Sequence, residues 1–496
     1  MRQQIQHALV IVTIGLIVCA LAADSGGIYA QSDDGQPGIL RNPLNAYAGA
    51  DPWLQYYEGN YYLATTTGSS ELIMRTAPTL AGLKTAMPVQ IYSETDPSRC
   101  CNMWAPEFHL LNGPNGLRWY YYYSAGTSGT LDNQRTHVLE SAGTDPMGPY
   151  TYKSRLYDPQ NDVWAIDGSI LTIGEAMHFL FSSWVGDSQS LFIAPMSDPW
   201  TISGPRVLIS QPEHDWERKG LNVNEGPVAL YRDDKIFIVY SASYCATPDY
   251  ALGILTYNGG DPLSTDAWVK HPEPVFQRSD ENGVFGPGHN GFFRSPDGTE
   301  DWIVYHANDS ASDGCDQGRT TRVQKLTWDD GGMPVFGVPV STTEEVTAPS
   351  GDMGLDPVPE FGSFSQFRSY SRTGSYIRNT ESFVQLGPGG TTDSQFYVVP
   401  GLADPDAVSI VVLSGHFLRR QGNALYFHAN DRSEGFAEDA TWWIRPGLAD
   451  RAWISFEAYN QPGMYIGRKL GMLALVALTA ESPLTAREDA TFIEDN

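Results

Sequence analysis

Five polar motifs recur along the first two thirds of the chain at nearly constant spacing, and few folds accommodate such a repeat. They are Gly49-Ala50-Asp51-Pro52-Trp53, Trp104-Ala105-Pro106-Glu107, Ile166-Asp167-Gly168-Ser169, Asn224-Glu225-Gly226-Pro227 and Gly286-Pro287-Gly288-His289-Asn290. The polar residues stand 56, 60, 58 and 64 positions apart. A unit of about sixty residues that delivers one polar side chain per copy suits a ring of similar sheets around a central site. Between the motifs lie short aromatic and β-branched runs bounded by Gly, Asp, Asn or Pro, at 61–65, 119–123, 178–181, 235–240 and 301–305. Apart from the N-terminal apolar stretch, no segment keeps a helical period for ten residues. The expectation is an all-β chain whose residues 38–347 form a five-bladed β-propeller. A sandwich would have no reason to place one polar residue in every unit.

The 496 residues exceed the roughly 250–300 at which single cores stop growing, so a second domain is expected. Residues 348–363 are rich in Pro, Gly and Ser and read as a linker. Beyond it a different repeat begins. Tyr376-Ile377-Arg378, Phe417-Leu418-Arg419 and Tyr465-Ile466-Gly467 recur, and the stretch Phe396 to Asp404 matches Trp442 to Asp450, with Ala490-Thr491-Phe492 opening a third copy. Three strand-rich copies over residues 364–496 suggest a β-trefoil.

The formal charge is −27 and no basic run occurs, which excludes a nucleic-acid partner and favours a neutral substrate. Residues 1–30 read as a secretory signal: Arg2 precedes an apolar run from Ala8 to Ala23, followed by small residues. That run is shorter than the about 20 residues of a membrane span. The mature protein is expected to be extracellular, without a membrane partner, and monomeric. Four cysteines follow the signal. Cys245 and Cys315 fall in loops of adjacent repeats and are expected to pair, whereas Cys100 and Cys101 are either a vicinal disulfide or two buried thiols. Without a Cys-x-x-Cys pair, a thiolate metal site is not expected.

Asp51, Asp167 and Glu225 lie on different units and would converge on the axis. Hydrolysis of a glycosidic bond by inversion needs one carboxylate to activate water and one carboxylic acid to protonate the leaving oxygen. A third acidic group raises the acid's pKa by repulsion. The five motifs, together with Gly318-Arg319-Thr320-Thr321-Arg322-Val323-Gln324, resemble the signature set of glycoside hydrolase family 43, and most closely its exo-acting α-1,5-L-arabinofuranosidases. The resemblance spans about residues 38–345. It implies a five-bladed propeller and an inverting mechanism with Asp51 as base, Glu225 as acid and Asp167 as the carboxylate that tunes and orients the acid. It further implies that Glu107 holds substrate hydroxyls or a supporting partner, that Arg319 reaches the site from the last blade, and that His289 stands near an axial calcium held through water. Trp53, Trp104 and Trp164 are candidate sugar-stacking walls.

The second repeat is similar to carbohydrate-binding module family 42, an arabinofuranose-binding trefoil. Asp439 and Asp489 match its binding aspartates, but Asn379, Arg420 and Arg468 occupy its histidine positions. An arginine there fills space and removes an acceptor, so weak sugar binding by this domain is expected. The function implied is release of terminal α-L-arabinofuranose from arabinan or arabinoxylan. The alternatives are a β-xylosidase or endo-arabinanase of the same family, and a non-catalytic glycan-binding protein.

Overall fold

The computed structural model describes residues 38–495 except 159, 353–363, 381–382, 413–414, 432 and 470–471. The expected signal segment and most of the expected linker lie outside these residues.

Five antiparallel sheets follow one another in sequence, of four strands each except the third, which has five. Their first strands are Trp53–Tyr57, Cys101–Gly113, Ile166–Ile173, Asn224–Arg232 and Phe285–Arg294. Each carries or directly follows one of the five motifs, as a propeller requires. The runs read as strands from sequence are all second strands: Asn60–Ala64, Gly116–Gly126, Ala176–Val185, Lys235–Ala242 and Asp301–Asn308. A second strand is covered on both faces by the neighbouring blades, so it reads as a continuous apolar run and not as an alternation. Blade two shows this directly. Tyr121 and Tyr123 enter the core shared with blade one, while Tyr120 and Tyr122 enter the core shared with blade three.

The ring closes through the segment before Asp51. Leu44 and Thr321 exchange backbone bonds by way of Asn45, the Asn42 amide brackets Val323, and Gly49 N–H donates to Arg319 O. Ile39–Leu40 pairs with Val346–Thr347. Closure therefore brings the first motif against the last blade.

In the C-terminal domain twelve strands join into one closed barrel around Phe367, Phe396, Trp442, Phe456 and Phe492. The barrel sits on blade one. Gln90 N–H donates to Asn430 O, and Met87 packs beside Phe417 and Phe436.

Candidate active site

The polar residues reach the axis because the first strands are irregular at their start. Asp51, Asp167 and His289 have φ of 51°, 56° and 46°, and Gly226, next to Glu225, has 54°. Register shifts follow, between Ile166 and Ser169, between Glu225 and Val228, and between Phe285 and Gly288. Such bulges turn a side chain that would enter a blade toward the centre, at a cost of order 1–3 kcal/mol per strained residue. Backbone bonds from side chains fix the turns. Asp167 N–H donates to Ser124 Oγ at 3.0 Å, His289 N–H to Ser241 Oγ at 2.7 Å, and Asp51 N–H to His306 Nδ1 at 3.1 Å.

The Asp51 carboxylate is surrounded by donors. Arg319 Nη1 lies 3.2 Å and His289 Nδ1 3.4 Å from Oδ1, and Thr66 Oγ1 donates to Oδ2 at 2.5 Å. Burial alone would raise its pKa, but the charges of His289 and Arg319 hold it well below the usual carboxylate range. His306 contributes differently. Burial lowers its pKa to about 4, so it is neutral, and its Nδ1 already accepts the Asp51 amide. That nitrogen has no proton to give to Oδ1 and acts by fixing the backbone.

Asp167 and Glu225 behave oppositely. Burial and mutual repulsion push the pKa of Asp167 up, and burial does the same for Glu225. The two titrate as a linked pair that retains a proton in mild acid. Asp167 Oδ2 accepts from Gly226 N–H at 3.0 Å, which ties it to the peptide that follows Glu225. Glu225 is held at both oxygens, by Tyr250 Oη at 2.8 Å and Gln189 Nε2 at 2.9 Å. One carboxylate is thus biased toward its ionised form and the facing pair toward holding a proton, the division of labour that acid–base hydrolysis needs.

His289 is pushed down by burial and pulled up further by Asp51, Asp167 and Glu225, so its pKa ends above the ordinary value. Among the described residues no group of three or more His, Cys, Asp or Glu is placed to hold a metal ion. A directly ligated calcium does not fit this donor set, and no step below passes through one.

The remaining expected residues divide. Arg319 reaches Asp51 and is anchored by Cys315 O, and Cys315 is joined to Cys245 in a disulfide. Cys100 and Cys101 form a disulfide with each other. Glu107 bonds His109 at 2.8 Å, and the His109 ring in turn packs against Trp53. Trp53 is buried at 5 % exposure, with its Nε1 donating to Phe108 O and its ring against His109. This corrects its expected role as a sugar wall, because the positive-φ turn at Asp51 precedes a regular strand whose first side chain enters the core shared by blades one and two. Trp104 stays half-buried opposite Ser124, and Trp164 is half-buried beside Trp184. Thr66, Gln189, Tyr250 and His306 were not anticipated, since they sit on second or third strands and loops without a motif of their own.

In the barrel, Asp439 is engaged by Arg419 at 3.0 Å, Arg420 at 2.8 Å and Asn460 at 3.0 Å. Arg468 lies 3.6 Å from Asp489.

The chain matches the family model described as Glycosyl hydrolases family 43 over residues 40–334, and that described as Alpha-L-arabinofuranosidase B (ABFB) domain over residues 365–494. It is 34% identical over 461 residues to an extracellular exo-α-(1→5)-L-arabinofuranosidase of Streptomyces avermitilis, covering 90% of this chain and 89% of that one. Identity to α-L-arabinofuranosidase 43 of Humicola insolens is 34% over 440 residues, or 84% and 87% of the two chains. A crystal structure of an α-L-arabinofuranosidase from Lactobacillus brevis superposes with a TM-score of 0.57 at 32% identity, over 61% of this chain and 98% of that one.

Proposed function

The chain belongs to glycosyl hydrolases family 43, and on that premise we propose that it is an extracellular, monomeric exo-α-L-arabinofuranosidase. It removes terminal arabinofuranose from arabinan or arabinoxylan with inversion. The carrying observation is the opposed electrostatics at the axis: Asp51 held ionised by Arg319 and His289, and Glu225 pushed toward its protonated form beside Asp167. Relatives that match over both domains and are named arabinofuranosidases support the choice of sugar.

In this reading Asp51 takes a proton from water as the oxygen attacks the anomeric carbon from one face. The bond to the leaving oxygen breaks on the other face, and Glu225 gives that oxygen its proton. Tyr250 and Gln189 aim the Glu225 carboxyl, and Asp167 keeps its proton affinity high. Arg319 stabilises the ionised Asp51 and offers guanidinium donors to the sugar. The calcium expected at the axis is proposed only as a water-held ion beside His289. Chelation then lowers the melting temperature and calcium restores it, whereas indifference to chelator removes the ion.

The test of the activity compares release of arabinose from nitrophenyl α-L-arabinofuranoside and from linear arabinan with hydrolysis of nitrophenyl β-xyloside. Preference for the arabinofuranoside is expected. Preference for the xyloside, or inertness on all three, overturns the reading.

A further inference from the structure

A cleft of about 750 Å³ lies between the propeller and the barrel. One wall is the loop from Thr65 to Ser70 with Asn102, and the other carries Asn379, Asp393 and Phe427. The cleft begins one side chain from the proposed base, because Thr66 both lines it and donates to Asp51 Oδ2. The same hydroxyl accepts Ala105 N–H at 2.8 Å, so the wall is tied to blade two as well as to the site.

The lining is chemically neutral and hydroxyl-rich. Among the described residues that line it, Asp393 is the single carboxylate and Arg75 the single permanent cation. Arg75 is buried and donates to Ala86 O. Arg378 occupies Oδ2 of Asp393, while Oδ1 is buried and has no hydrogen-bond partner among the described residues. The side-chain amide of Asn379 makes no hydrogen bond among the described residues. The Asn379 amide and the Phe427 ring on one wall, facing the hydroxyls of Thr66, Thr67, Ser69 and Ser70 on the other, match the alternating hydroxyls and apolar face of a sugar. The volume is within the roughly 300–1,000 Å³ of ligand sites.

We propose that this cleft holds the neutral pentose chain extending from the sugar being cleaved, so that the barrel forms one wall of the substrate site. The proposal rests on the activity proposed above. An enzyme that takes the terminal sugar must place the rest of the chain outside the axial pocket, and the cleft is the polar space adjoining Asp51. It differs from a separate sugar-binding role for the barrel, since both domains contribute and one chain occupies the cleft and the axis together.

The test uses the full chain with Asn379→Trp and, on the opposite wall, Ser70→Trp. Substrates are nitrophenyl α-L-arabinofuranoside, linear α-1,5-arabino-oligosaccharides and arabinoxylo-oligosaccharides. KM for a chain substrate is expected to rise about fivefold or more, the equivalent of about one lost hydrogen bond, with the aryl glycoside changed less than about twofold. The oligosaccharide showing the larger shift identifies the chain held. Unchanged KM on both oligosaccharides overturns the cleft. If a tryptophan variant loses aryl-glycoside activity, Asn379→Ala decides, because it removes the amide without adding bulk: a selective KM rise supports the cleft and none overturns it. Wild-type enzyme inert on the aryl arabinofuranoside overturns the activity itself and the cleft with it, whereas active wild type with unshifted variants overturns the cleft alone.

Discussion

At the scale of single residues, what separates Asp51 from Glu225 is the company each keeps. Asp51→Asn removes the base and should lower kcat by about 10²–10⁴-fold on every substrate. Glu225→Gln should do so on oligosaccharides while sparing aryl glycosides with good leaving groups, which need little protonation. Equal loss on both substrate types would take the acid role from Glu225. The pH profile follows from the same shifts. Asp51 must be ionised and its pKa lies below the ordinary range, so the acid limb of kcat/KM falls low; Glu225 must be protonated and its pKa lies above the ordinary value, so the alkaline limb falls high. Arg319→Gln deletes a charge 3.2 Å from Asp51, raises its pKa, and should move the acid limb upward by about one pH unit or more. An acid limb that stays in place would show that Arg319 does not hold Asp51 ionised. These carboxylates were legible in the sequence because each sits in a short motif at blade spacing. Their partners were not. Gln189 and His306 lie on strands of other blades and Tyr250 lies in a loop, and only folding brings them to the carboxylates.

At the scale of elements, the site depends on irregular strand starts and tight contacts behind them. A Cβ on Gly168 would lie 2.4 Å from Thr136 Cγ2 and 2.6 Å from Phe179 Cε2. Gly168→Ala must therefore move the strand that carries Asp167. Such overpacking typically costs about 1–3 kcal/mol, and kcat should drop with the melting temperature. An alanine variant with unchanged kcat would mean that the strand yields without moving the carboxylate. The Cys245–Cys315 disulfide closes a span of 70 residues and anchors the loop whose Cys315 carbonyl accepts from Arg319. Replacing both cysteines by serine should cost about 2–4 kcal/mol in urea unfolding. Strand existence was readable for the second strands, whose buried runs have no polar interruptions. Bulges were not readable, because a residue with positive φ looks like any other Asp or His in sequence. Trp53 was misplaced for the same reason, since the turn at Asp51 decides whether it faces a sugar or blade two.

At the scale of the whole molecule, two domains with separate cores meet at blade one, and the barrel's own acidic positions are spoken for. Asp439 is bonded by Arg419, Arg420 and Asn460, which leaves little room for a sugar. Affinity electrophoresis of Asp439→Ala in arabinan should show the same retardation as the wild type, and a lost retardation would show that this pocket binds. The repeat spacing announced the ring, and the second repeat announced a separate all-β domain, expected as a β-trefoil and found as a closed barrel. The seating of one on the other was silent in sequence, because it depends on single contacts such as Gln90 with Asn430. The central claim is that Asp51 directs water onto the anomeric carbon while Glu225 frees the leaving group in the same step. Proton NMR of the first sugar released from an α-L-arabinofuranoside tests it most directly. The account predicts β-arabinofuranose first, followed by mutarotation; α-arabinofuranose as the first product would contradict it.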